Sequence, residues 1–271
     1  MWYSGDGWSG ATGIGYAESA DGMTGWTKYS GNPVITNYHR GNIVHNGSTF
    51  YEFAKNFSTN NMDVLTSPDS DGLTWTLAAS NVLTKGSSGA FDQDAIENSS
   101  MFNDGGTWTM VYEGNNGGDF ECGGATATAL TGPWTKVNSG NLIISGPGCS
   151  GPWIAKVGSN YWVWAAQVVA HWGIARWTAT SLAGPWTLNP DRSTYFTGQT
   201  FYPASPDELT TDGGGLADGW HLEVNGSTYK YYTGTNAGTS VTGHSHIKLT
   251  IAPMPISTLV TTIEGMTSNT P

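Results

Sequence analysis

Gly132-Pro133-Trp134-Thr135 and Gly184-Pro185-Trp186-Thr187 are two copies of one phrase, and Gly25-Trp26-Thr27 and Thr74-Trp75-Thr76 are two looser copies. Their tryptophans, at 26, 75, 134 and 186, are spaced by 49, 59 and 52 residues. Ahead of each lies an aromatic stretch ending in a small residue: Trp2-Tyr3-Ser4-Gly5, Glu52-Phe53-Ala54, Val111-Tyr112-Glu113-Gly114 and Val163-Trp164-Ala165-Ala166. A fifth stretch, Tyr231-Tyr232-Thr233-Gly234, leads to Ala252-Pro253-Met254-Pro255 in place of the tryptophan phrase. Between stretch and phrase comes a small, alternating segment such as Gly13-Ile14-Gly15-Tyr16-Ala17 or Gly173-Ile174-Ala175-Arg176-Trp177. Period-two alternation between Gly, Asn and Asp turns specifies strands. A unit of about 50 residues with four short strands is the repeat of a β-propeller blade. Five copies therefore predict an all-β, five-bladed propeller of four-stranded antiparallel blades, in one domain over residues 1–271. A β-sandwich has no need for a tryptophan at this interval.

Lettering the strands A to D from axis to rim makes the aromatic stretch B, the alternating segment C and the residues after the tryptophan D. Strand A is readable four times: Asn42-Ile43-Val44-His45, Ser100-Met101-Phe102, Trp153-Ile154-Ala155-Lys156 and His221-Leu222-Glu223-Val224. The first unit starts inside B and has no readable A. Either residues 258–265 close the ring or the first blade lacks its innermost strand.

Composition agrees with this architecture and narrows the function. The chain has 38 glycines in 271 residues, about twice the usual share, and only 11% charged residues. Aromatics at 12% exclude a disordered chain. No apolar run is long enough for a membrane helix. Net charge is −11 with 10 Lys and Arg, which disfavours nucleic acid and anionic membrane surfaces as partners. Carbohydrate is the natural neutral ligand, because sugar C–H faces stack on aromatic rings and hydroxyls pair with Asp, Asn and Gln. A monomer is expected. Met1-Trp2-Tyr3-Ser4-Gly5 does not read as a signal peptide, although a carbohydrate function carries the expectation of an extracellular protein. Cys122 and Cys149 fall in adjacent blades at the same end of the ring; a disulfide and two buried thiols are both open readings.

Up-and-down strands put the D-to-A and B-to-C connections on one face, and its longer loops make it the functional face. Aligning the A strands on their hairpin turns stacks His39, Glu97, Ser150 and Asp218 at one level and Arg40, Asn98, Gly151 and Gly219 at the next. Asn42, Ser100, Trp153 and His221 follow two positions on. Carboxylates sharing a cleft shift one another's pKa and supply an acid and a base, the pair that glycoside hydrolysis uses. Asp94, Glu97 and Asp218 are the candidate catalytic groups. His39, Arg40, Asp92, Asn98, Trp153, Trp172 and His221 are the candidate substrate-binding groups. Glu97 and Asp218 could equally pair with Arg40 or cap loops, and the tryptophans could equally pack the blades.

The run Met1–Gly5, Gly13–Ser19, Trp26-Thr27-Lys28 and Asn32-Pro33-Val34-Ile35 resembles the blade signature of the five-bladed family 43 and family 32 glycoside hydrolases. Phe91-Asp92-Gln93-Asp94 and Ser150-Gly151-Pro152-Trp153-Ile154 extend the resemblance over nearly the whole chain. It implies the propeller fold and activity on a polysaccharide or oligosaccharide without a required cofactor. It also admits a structural calcium on the axis, with His244 or His246 as a contact. The catalytic set of family 43 does not carry over. Its base position has no counterpart here, its second acid falls near Asn98, and its third falls on Ser150. The resemblance therefore implies either a displaced set, Asp94, Glu97 and Asp218 with a histidine as acid, or a lectin- or adhesin-like propeller that binds sugar without cleaving it.

Overall fold

The computed structural model describes residues 1–8, 11–20, 25–118, 120–144, 148–168 and 172–188, and the backbone of 215–224, 227–235 and 246–251. These residues form successive antiparallel meanders. The first sheet holds β1 (Trp2–Trp8), β2 (Ala11–Glu18) and two short strands, β3 (Thr27–Lys28) and β4 (Ile35–Thr36), both paired to β2. The second runs β5 (Tyr38–Asn46), β6 (Thr49–Asn56), β7 (Met62–Pro68) and β8 (Thr76–Leu83). The third runs β9 (Ala95–Asp104), β10 (Thr107–Asn115), β11 (Phe120–Ala127) and β12 (Thr135–Lys136). The fourth runs β13 (Ser150–Val157), β14 (Asn160–Val168), β15 (Trp172–Ala179) and β16 (Thr187–Leu188). A last meander, β17 (Gly215–Val224), β18 (Ser227–Thr235) and β19 (His246–Ile251), is bridged to β15 through Trp172 and Gly215. No α-helix occurs among the described residues. Among the described strands β1 pairs only with β2, so the A place of the first sheet is not taken there. Residues 258–265 lie outside the described residues.

Alternation along each B strand gives one face to each neighbouring sheet. Phe53, Met62, Val64 and Leu83 of the second sheet pack against Phe91, Ile96, Met110 and Tyr112 of the third. The intervening Ala54 and Leu65 point the other way, to Ile14 and Ile35 of the first sheet. Val111 and Cys122 likewise meet Ile154, Val163, Ala175 and Trp177 of the fourth. Each large apolar side chain buried here contributes about 1.5–3 kcal/mol, so the core lies between sheets rather than within one. The tryptophan phrase closes its own turn: the indole N–H donates to the carbonyl of Gly72 from Trp75 (3.1 Å), of Leu130 from Trp134 (3.0 Å) and of Leu182 from Trp186 (3.0 Å). Cys122 and Cys149 form a disulfide with Cα atoms 5.5 Å apart, tying β11 to the entry of β13.

The A strands begin earlier than the sequence reading placed them, because each continues through a β-bulge. In β5 the register slips between His39 and Asn42, so Arg40 and Gly41 together oppose Ala54. In β9 Glu97 and Asn98 oppose Glu113. In β13 Gly151 and Pro152 oppose Ala165. In β17 Asp218 and Gly219 oppose Tyr232. A bulge inserts one unpaired residue and re-aims the local side chains. The same insertion at the same level in four sheets gives the inner strands a repeated irregular rung.

Candidate functional site

The bulges correct the ring alignment by one residue in two sheets. Arg40, Glu97, Gly151 and Asp218 share the first bulge position, where the hairpin count had placed His39 and Ser150 beside Glu97 and Asp218. The reason is geometric. The distance from bulge to hairpin turn differs between sheets, and a count from the turn carries that difference into the level.

Around this rung the second, third and fourth sheets share one polar cluster centred on Glu113, which sequence reading treated only as part of a B strand. Glu113 is fully buried. Its Oε1 accepts from Arg40 Nη1 at 3.1 Å. Its Oε2 accepts from Asn98 Nδ2 (2.9 Å), Ser150 Oγ (3.1 Å) and the Gly151 N–H (2.7 Å). An ionised carboxylate is acceptor-only with about four lone-pair sites, and these donors match that form. Glu97, also buried, accepts from Lys55 Nζ at 2.8 Å, while its Oε2 lies 3.7 Å from Arg40 Nε and makes no hydrogen bond. Arg40 thus stands between two carboxylates and over the Phe120 ring. It is also the open member of the cluster, its side chain 34% exposed against 0% for Glu113 and 6% for Glu97. The inner strands are stitched directly as well: Asn42 donates to the Ser99 carbonyl, and the Ile154 N–H donates to Ser100 Oγ.

The other candidates lie elsewhere. Asp92 is buried on the outer side of β10, held by Lys136 and by the Tyr112 hydroxyl (3.1 Å); burial, then the Asp92 charge, push the Tyr112 phenol far up. Asp94 is exposed, its N–H bonded to the Asn115 carbonyl. Trp153 is buried against Trp164, ring centroids 4.7 Å apart. His39 sits beside Phe57, centroids 5.7 Å apart. Trp172 and His221 are placed as strand backbone in β15 and β17, as is Asp218. His244 lies outside the described residues, and among the described residues no group of three or more His, Cys, Asp or Glu is placed to hold a metal ion.

A further buried carboxyl, Glu52 on β6, has no hydrogen-bond partner for either oxygen. Burial pushes its pKa well above the usual carboxylate range. It fits because residue 41 is glycine: a Cβ there would fall 1.3 Å from Glu52 Oε1.

No family model and no curated protein matches the chain. Solved structures do. A thermostable family 43 glycoside hydrolase superposes with a TM-score of 0.60 at 14% identity, covering 83% of this chain and 72% of the other. The catalytic domain of the Coprinopsis cinerea family 62 α-L-arabinofuranosidase gives 0.63 at 12% identity, covering 92% and 84%. The Cellvibrio cellulosa α-L-arabinanase, solved with arabinohexaose, gives 0.53 at 15% identity, covering 79% and 70%. The chain has the fold of the family 43-like propeller glycoside hydrolases.

Proposed function

We propose that the protein hydrolyses a glycosidic bond of a polysaccharide or oligosaccharide with carboxylates of the bulge rung. The supporting observation is the Glu97–Arg40–Glu113 cluster on the inner strands, in a fold shared with enzymes named for arabinan and arabinofuranoside cleavage. The roles follow from the partners. Glu97, paired with Lys55 and carrying one uncommitted oxygen, suits the base or nucleophile. Glu113, occupied by donors on both oxygens, has no proton to give. The acid role falls to Asp218, at the equivalent bulge position of β17, with His39 or His221 as the histidine alternative. Asp94, exposed and off the rung, is the weakest member of the set. The ligand is neutral, the protein acts as an extracellular monomer, and an axial calcium at His244 is an accessory to the fold rather than to the chemistry.

The test is a panel of aryl glycosides and polysaccharides, beginning with arabinofuranosides, with product analysis. Glu97→Gln and Asp218→Asn should each abolish most turnover; full turnover in both variants sinks the assignment. A lectin-like reading has one observation in its favour. Asn98 and Ser150 stand at positions where family 43 resemblance implies acids, and both are spent on Glu113. Sugar binding with no product from any panel member would select it.

A further inference from the structure

The least comfortable backbone on the rung belongs to Arg40. Its φ is 53°, in the left-handed region, and at the equivalent position the fourth sheet uses Gly151, with φ 56°. A non-glycine residue held there costs of order 1–3 kcal/mol and persists only where its surroundings over-determine it. Two contacts do so here: the Arg40 N–H donates to Ser4 Oγ of β1 at 2.8 Å, and the guanidinium is held by Glu113. Glycine would relieve the strain at no cost to the bulge, so the position is occupied for its side chain.

We propose that Glu113 is the positioning residue of the axial site and that it acts through Arg40. One buried carboxylate fixes the bulges of three sheets together, through Arg40 on β5, Asn98 on β9, and Ser150 and Gly151 on β13. Of these four donors only the Arg40 side chain combines a full charge with exposure. A guanidinium has five N–H donors in a fixed fork; among the described residues only Nη1 is hydrogen-bonded, to Glu113, while Nε stands 3.7 Å from Glu97 Oε2 without a hydrogen bond. The remaining N–H groups are available to the hydroxyl and ring oxygens of a polyhydroxylated ligand, in an orientation that Glu113 sets. The turnover arm of this inference rests on the function proposed above; its structural arm does not.

The test is a double-mutant cycle in the full chain with Arg40→Met, Glu113→Gln and the pair. It is read as kcat and KM on the panel substrate that the wild type turns over, and as the Nε–Hε NMR resonance of Arg40. The chain has three arginines, at 40, 176 and 192, so three single-arginine variants assign the spectrum. Glu113→Gln should raise KM about tenfold or more with a smaller change in kcat, and Arg40→Met should do the same. The double variant should be no worse than Arg40→Met alone, because residues that act as one unit are not additive. In the spectrum, Glu113→Gln should turn a slowly exchanging Arg40 resonance into a fast one. Losses that multiply in the double variant, or an unchanged KM and resonance in Glu113→Gln, overturn the proposal. Should Glu113→Gln not fold, Glu113→Asp withdraws the carboxylate by one methylene, keeps its charge and carries the same expectations. If the wild type turns over nothing on the panel, the hydrolase reading fails and the Arg40 resonance alone decides the role of Glu113.

Discussion

Replacing Glu52 with methionine should stabilise the protein. Glu52 lies among Ile14, Ile43, Leu65 and the backbone of Gly41, between the first and second sheets, and neither carboxyl oxygen has a partner. An unsatisfied buried polar group costs about 1–3 kcal/mol, and methionine fills similar volume without one. A gain of about 1–3 kcal/mol moves the melting temperature by about 2–4 °C per kcal/mol in a chain near this size. The pH dependence has a definite sign. Burial raises the folded-state pKa of Glu52, so the native state keeps a proton that the unfolded chain releases. Well below the unfolded value, about 4.3, both states are protonated and the titration has no effect. Above it the unfolded chain binds fewer protons than the native one and stability falls with pH until the folded pKa is passed. The slope reaches at most about 1.4 kcal/mol per pH unit. Urea unfolding of wild type and Glu52→Met at pH 5 and pH 8 measures this directly. The variant should gain at both, and by more at pH 8. A variant less stable than wild type at both values, or a gap that stays constant with pH, would refute the reasoning.

Three further outcomes can be checked by the same method. Gly41→Ala should cost more than about 2 kcal/mol by overpacking, since its Cβ would overlap Glu52 Oε1, and most of that loss should return in Gly41→Ala/Glu52→Ala, where the carboxylate that clashes is gone. Lys136→Met leaves the fully buried Asp92 without its cation; a loss of about 3–5 kcal/mol is expected, read from the denaturation midpoint at constant m. Reduction of Cys122–Cys149, or Cys122→Ala/Cys149→Ala, opens a loop with a sequence separation of 27 and should cost about 3–4 kcal/mol by chain entropy, visible as a lower melting temperature in reductant.

The sequence carried the repeat because the residues that close a turn are local. Leu130 and Trp134, or Leu182 and Trp186, complete their hydrogen bond within five residues, so the phrase is legible wherever it recurs. Glu97 was found for a related reason, lying on a strand whose hairpin turn is easy to see. Glu113 was not. It sits one place past Tyr112 on a B strand, and its partners come from β5, β9 and β13, as far as 73 residues away. A signal was present nonetheless. Glu52 and Glu113 are acids inside otherwise apolar or aromatic stretches, and an acid on a strand buried on both faces needs a reason. The bulges were invisible because an inserted residue leaves no mark in composition when it is Arg40 or Glu97 rather than glycine. The one-residue offset in the ring lies at Arg40 and Gly151 and comes from the unequal distance between bulge and hairpin turn.

The recurring bulge also separates where a group stands from what the group is. At one rung the four sheets present a cation, an acid, a glycine and a second acid, at Arg40, Glu97, Gly151 and Asp218, on matching backbone register. Pairing on either side of the rung is unaffected by which letter occupies it. A rung built this way carries different chemistry in different sheets, within the limits set by the left-handed backbone at Arg40 and Gly151 and by the shared Glu113 that ties three of the sheets together.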